Sequence, residues 1–153
     1  MLYVVQHAEA TSKEEDPERP LNERGLEDAR RLAAFLEARG VTVDRVYDSG
    51  KARARETAEI LAGRIAPGRE VEDMAGLEAT DPVEPIEARI GNRDGDKLIV
   101  SHQPFVGRLV ASLVRGLQNE PPVAFTPGTV VALDRGDGIG WQVAWMIRPP
   151  LLE

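Results

Sequence analysis

KLIVSHQPFVGRLVASLVRG, residues 97–116, decides the fold class. Lys97-Leu98-Ile99-Val100 is the clearest strand in the chain, a short apolar run behind the turn residues Asp94-Gly95. Pro104 opens a helix whose Phe105, Val106, Leu109, Val110 and Leu113 return at helical spacing, and Gly116 ends it. A strand passing through a short loop into a helix is the repeating half of an α/β sheet, and the pattern recurs upstream. LYVVQ (2–6) is a buried strand, followed by a polar, acidic surface stretch over 9–20. Asn22 then caps a helix carrying Leu26, Ala29, Leu32, Ala33 and Leu36 to a stop at Gly40. VDRVYD (43–48) predicts a second strand, which Ser49-Gly50 turn into a helix reaching Ile65, before Pro67-Gly68. Val71 begins a short extended piece, and Pro82 to Arg89 reads as helix with Pro82 in its first turn. Beyond Gly116 the character changes: 129–133 and 141–146 are β-prone and joined by the glycine-rich turn RGDGIG, which predicts a hairpin. The expectation is a single-domain α/β three-layer sandwich over residues 1–153. Its central sheet is mostly parallel, with helices on both faces and the C-terminal β-hairpin at the edge.

The chain has no cysteine, which removes disulfides, thiolate catalysis and thiolate zinc sites and fits a reducing interior. The apolar run before Gln6 and His7 is too short for a secretory signal, and no stretch reaches the roughly 20 apolar residues of a membrane span. A cytoplasmic protein without a membrane partner is expected. The net charge of −7 argues against nucleic acid as a partner, since that binding needs a basic footprint. It also sets a condition, because an acidic protein that binds a phosphate dianion must gather its positive groups at one place. Lysine occurs only at 13, 51 and 97, so those groups are mainly arginines, which suit bidentate oxyanion binding.

Ligands of open α/β sheets gather at the carboxyl ends of strands. Three such ends carry chemistry here: Gln6-His7, Ser49-Gly50 leading to Arg53 and Arg55, and Ser101-His102 before Pro104. Both histidines of the protein therefore fall at the same edge, on strands that could be neighbours. Helix N-termini there point N–H groups at an anion, and an early helical arginine can grip it from the side. A neutral imidazole is a competent nucleophile toward phosphorus, and a second imidazole beside a phosphate is favoured in its charged form.

At these residues the chain resembles the histidine phosphatase superfamily (phosphoglycerate-mutase-like), and within it the short SixA-type phosphohistidine phosphatase branch. The family's Arg-His-Gly is matched by Gln6-His7-Ala8, and its Arg-Pro-Leu-Thr-x-x-Gly by Arg19-Pro20-Leu21-Asn22-Glu23-Arg24-Gly25. Its Ser-Pro-x-x-Arg-Ala-x-x-Thr is matched by Ser49 through Arg53 to Thr57, and its late His-x-Pro by His102-Gln103-Pro104. Four motifs in order span most of the chain. The resemblance implies a metal-independent, cofactor-free phosphatase acting on phosphohistidine or a small phosphate ester. His7 becomes the covalent phosphohistidine, Arg53 holds phosphate and His102 stabilises the phosphoryl group. Gln6, Arg53, His102 and Gln103 are the implied phosphate contacts. The short branch lacks insertions, which implies a shallow site open to a phosphorylated protein. Larger relatives carry a glutamate in the segment matching 74–81, which makes Glu78, with Asp81 nearby, the candidate general acid.

Three positions depart from the family: Gln6 for arginine, Ala8 for glycine and Gly50 for proline. One lost charge-assisted hydrogen bond costs about 1.5–3 kcal/mol, or about ten- to a hundredfold in rate if it acts in the transition state. Gln6 keeps an amide donor, and Arg55 or Arg19 could supply the missing charge. Two other readings stand beside the phosphatase. Gln6 could mark a non-catalytic or weakly active phosphate- or phosphoprotein-binding module. A metallohydrolase could use His7 and His102 with Glu9 or Asp81, although two distant histidines make a poor zinc site. Among plainer roles, Ser49 and Ser101 are expected to cap the helices they precede, and Trp141 and Trp145 to pack on one face of a strand.

Overall fold

The structure, a computed structural model, describes residues 1–91, 94–137 and 140–153. Strands β1 (Leu2–Gln6), β2 (Arg45–Asp48), β3 (Val71–Asp73), β4 (Lys97–Ser101), β5 (Val130–Arg135) and β6 (Trp141–Ile147) form one sheet in the order β3-β2-β4-β1-β5-β6. The first four are mutually parallel, while β5 runs antiparallel to β1 and β6 to β5. The helices are α1 (Glu23–Ala38), α2 (Ala52–Ile65), α3 (Glu84–Ile90) and α4 (Phe105–Arg115).

Side-chain alternation along the strands splits the core in two. Tyr3, Val5, Val46, Leu98 and Val100 pack with Leu32 and Leu36 of α1 and Leu61 and Ile65 of α2. Leu2, Val4, Tyr47 and Ile99 face the other way, onto Ile86 and Ile90 of α3 and Phe105, Leu109 and Val110 of α4. Helices therefore cover both faces, which is why β1 and β4 read as unbroken apolar runs. The expected layered architecture and the edge hairpin are present. Gly138 and Ile139 of the hairpin's turn lie outside the described residues. Among the described residues no helix is long and apolar enough to cross a membrane.

Three local expectations are corrected. β2 begins at Arg45, because the Val43 N–H donates to Ile65 O (2.9 Å) and the Asp44 N–H to Asp96 O (2.9 Å), outside the sheet ladder. Pro82 precedes α3, whose first turn holds Pro85 behind Val83 at the N-cap. Trp141 and Trp145 do not share a face. The β5–β6 register shifts between Ala132, opposite Trp145, and Leu133, opposite Val143, so one extra β6 residue inverts the alternation. Trp145 packs on the α1–α2 side and Trp141 on the α3–α4 side.

Candidate active site

β1 and β4 are parallel neighbours, with Gln6 opposite Ser101, so His7 and His102 leave adjacent strands at the same edge. The His7 N–H donates to Ser101 O at 3.0 Å, and the two imidazole centroids lie 5.0 Å apart. β2, on the other side of β4, delivers Ser49, which is hydrogen-bonded through Oγ to His102 Nε2 at 2.6 Å. Sheet order, which spacing along the chain does not reveal, brings the three strand ends together.

Each histidine is held in a defined way. His7 Nδ1–H donates to Ala8 O at 2.7 Å, and since a carbonyl can only accept, the neutral ring keeps its lone pair on Nε2. The next peptide is fixed from α2: the Ala8 N–H donates to Thr57 Oγ1 (3.0 Å), and Thr57 Oγ1–H donates to Arg53 O (2.7 Å). Thr57, the last residue of its motif, thus ties the chain leaving His7 to the helix that carries Arg53. Gly25 serves the same segment. A Cβ there would lie 1.9 Å from Glu9 O, so only glycine lets α1 approach the chain leaving His7. Asn22 caps α1 by accepting from the Gly25 N–H, and its own N–H and amide donate to Glu9.

The serine expectation is corrected. Lys51 and Pro104 occupy the N-cap positions of α2 and α4 without a side-chain cap bond. Each serine lies before its helix begins, at a strand end that faces neighbouring loops. Ser49 therefore meets His102, with only a 3.4 Å contact from the Lys51 N–H, and Ser101 Oγ–H donates to Leu77 O at 2.5 Å. That second bond docks the 77–81 segment on the site. Glu78 there is exposed and paired with Lys51 Nζ at 3.1 Å, while Asp81 accepts from the Glu78 N–H. Gln103 is exposed, and its Oε1 accepts from the Gly107 N–H at 3.2 Å, so that oxygen caps α4. The Gln103–Pro104 peptide is cis.

Positive charge is gathered at this edge. Burial foremost, then the charges of Arg53 and Arg19, push His7 down to about 4 against the opposing Ala8 bond. Burial, then His7, Arg53, Lys51 and Arg19, push His102 down to about 3. Burial and Arg19 lower Arg53 as well. In the free site both rings are neutral at physiological pH, and an arriving dianion reverses the field at His102. Gln6 Oε1, Arg53 Nε and His102 Nδ1 are buried and have no hydrogen-bond partner among the described residues. Such atoms are expensive unless a ligand engages them. Among the described residues no group of three or more His, Asp or Glu side chains could hold a metal ion, so His7 and His102 have no carboxylate set around them.

Residues 2–82 match the family model described as the histidine phosphatase superfamily (branch 1). The phosphohistidine phosphatase SixA of Escherichia coli (strain K12) is 29% identical over 153 residues, covering 97% of this chain and 93% of that protein. A solved structure of the protein histidine phosphatase SixA complexed with tungstate superimposes with a TM-score of 0.85 at 26% identity, over 99% of each chain. The alpha-ribazole phosphatase from Shigella flexneri shares the fold at 19% identity, with a TM-score of 0.75 over 91% of this chain and 92% of that one.

Proposed function

We propose that this chain, which belongs to the histidine phosphatase superfamily, is a SixA-type phosphatase that removes phosphate from phosphohistidine through a covalent intermediate on His7. The observation that carries the reading is the tautomer of His7. Its Nδ1–H is committed to Ala8 O beside the ring of His102, so Nε2 is the nucleophilic nitrogen. In the first step the Nε2 lone pair attacks phosphorus as the bond to the substrate's imidazole nitrogen breaks; the substrate ring, protonated on its other nitrogen, takes the electron pair of the broken bond and leaves as neutral imidazole. In the second, water attacks phosphorus, the P–Nε2 bond breaks, and inorganic phosphate departs with the ring restored. Arg53 and a His102 charged by the bound dianion stabilise the phosphoryl oxygens in both steps. Ser49 orients His102, and Thr57 anchors the N–H of Ala8, the residue whose carbonyl fixes the tautomer of His7.

A protonated imidazole is a good leaving group, so phosphohistidine needs less acid help than an ester. For an ester, Glu78, whose carboxylate pairs with Lys51 Nζ, is the group assigned to protonate the leaving oxygen. A phosphorylated protein is the favoured substrate, in keeping with the solved relative described as a protein histidine phosphatase.

The test is phosphate release from a phosphohistidine peptide and from an aryl phosphate in the presence of EDTA, comparing wild type with His7→Ala. Turnover that resists EDTA and is lost in the variant is expected. Phosphate binding without turnover in the wild type would favour the binding-module reading that Gln6 raises, and loss of turnover with EDTA would revive the metal reading.

A further inference from the structure

Gln6 leaves the phosphate edge one positive charge short of the family pattern, and neither nearby arginine is spare. Arg19 belongs to the loop motif that the family carries together with the arginine before its nucleophile. Arg55 is engaged at the β2–β3 end, where its Nε lies 3.1 Å from Asp48 Oδ2 and its terminal nitrogen donates to Val71 O at 3.0 Å. Lys51 is a further cation at this edge, at a position for which the family motif specifies no residue.

Lys51 owes its placement to the neighbouring departure, Gly50. Gly50 stands at φ 85, and its N–H donates to Asp48 Oδ1 at 2.6 Å. Proline, locked at φ of about −65° and without an N–H, can do neither. The chain therefore leaves Ser49 by a turn that a Ser-Pro pair cannot make, and Lys51 follows as the N-cap residue of α2, just ahead of Arg53. The Lys51 N–H lies 3.4 Å from Ser49 Oγ, the hydroxyl bonded to His102 Nε2. The lysine's charge acts on that same ring.

The ammonium is held from the far side of His102. Glu78 Oε1 lies 3.1 Å from Lys51 Nζ, with both side chains exposed. The backbone beneath Glu78 is fixed: Ser101 Oγ–H donates to Leu77 O (2.5 Å), the Glu78 N–H to Asp81 Oδ2 (2.9 Å) and Arg108 to Asp81 O (2.8 Å). Ser49 is bonded to the His102 ring and Ser101 precedes it in the chain, so the Lys51–Glu78 pair joins two segments anchored on either side of His102. Lys51, on its flexible four-carbon stem, is the part free to move. An exposed ion pair is weak in water, and a phosphoryl dianion gripped by Arg53 is the stronger partner for the ammonium.

We propose that Lys51 is a phosphate-binding residue of this site, presented by the Gly50 turn and held by Glu78 until a phosphoryl group draws it inward. The proposal rests on the phosphatase reading of this site. It makes Glu78 a competitor of the bound anion for one lysine, and competition of that kind has a measurable signature.

The experiment measures tungstate affinity by calorimetry for wild type, Lys51→Gln, Lys51→Arg, Glu78→Gln and the double variant Lys51→Gln/Glu78→Gln, with kcat/KM on the aryl phosphate for wild type and the two Lys51 variants. Lys51→Gln should weaken tungstate binding and lower kcat/KM, each by about three- to tenfold, and Lys51→Arg should keep most of both. Glu78→Gln should tighten tungstate binding by about two- to fivefold, because it releases the lysine, and the gain should vanish when Lys51 is already glutamine. A purely structural ion pair would not predict tighter binding on losing the carboxylate. Tungstate affinity and kcat/KM within about twofold of wild type in Lys51→Gln would overturn the proposal while leaving the phosphatase standing. An equal gain from Glu78→Gln in both backgrounds, in variants whose thermal unfolding matches wild type, would also overturn it, since it would mean that the carboxylate acts by repulsion alone. A wild type that binds tungstate without turnover would refute the phosphatase, and the affinity cycle would still read Lys51.

Discussion

Mild acid should destabilise this protein through its two histidines. In an unfolded chain each titrates near 6.5, whereas the folded site holds His7 at about 4 and His102 at about 3. A lowered folded value means that the native state binds fewer protons. The stability from keeping the rings neutral is whole above 6.5 and is lost as pH falls from there toward the folded values. At about pH 5 the linkage relation gives a loss of about 2 kcal/mol for each ring, hence about 4 kcal/mol together. Domain stabilities run to about 5–15 kcal/mol, so this is a large fraction. The assay is urea unfolding at about pH 7.5 and about pH 5 for wild type and for the double variant His7→Asn/His102→Asn, which cancels the contribution of carboxylates. The double variant should lose about 4 kcal/mol less than wild type over that interval. Saturating inorganic phosphate should shrink the wild-type loss, because the bound dianion favours a charged His102. An equal acid loss in both proteins would refute the reasoning, since it would mean that the folded site does not hold the rings neutral.

Gly25→Ala should be badly tolerated, because its Cβ would fall 1.9 Å from Glu9 O. Overpacking of that kind costs about 1–3 kcal/mol or more, visible as a lower urea midpoint together with lost activity as the chain after His7 is displaced. Thr57→Val should cost about 1–3 kcal/mol by leaving the Ala8 N–H unsatisfied in the interior. It should also lower kcat more than it raises KM, and Thr57→Ser should restore both; a Thr57→Val enzyme with wild-type kcat would show that the peptide after His7 needs no anchor.

Much of the fold was legible because β1 and β4 are short apolar runs with polar ends, and α1 and α2 repeat Leu and Ala at helical spacing. The errors fell where tertiary contacts outweigh local pattern. Val43 suits a strand but spends its N–H on Ile65, and the inserted residue in β6 turns two tryptophans apart although alternation alone pairs them. At the site, the strand-end histidines and Arg53 stood out by type and position. The partners that position them did not. Ser49 meeting His102, Thr57 meeting Ala8 and Gly25 meeting Glu9 join segments far apart in sequence, and nothing local distinguishes them from a cap, a helical threonine and a helix-start glycine. Arg55 was a candidate in sequence for the charge missing at Gln6, and it drops out only once Asp48 and Val71 are seen to hold it.

The pairing of β1 with β4 also says when the site comes into being. His102 is made after His7 with β2 and β3 between them, yet each histidine's strand needs the other beside it. A chain that has formed β1, α1, β2 and α2 has local contacts in place but no shared edge for the two histidines, since β4 must insert between β1 and β2 to create it. Non-local strand pairing of this kind is slow relative to helix formation. Catalytic competence should therefore appear late and all at once, and the first turnover during refolding would serve as a clock for insertion of the central strand.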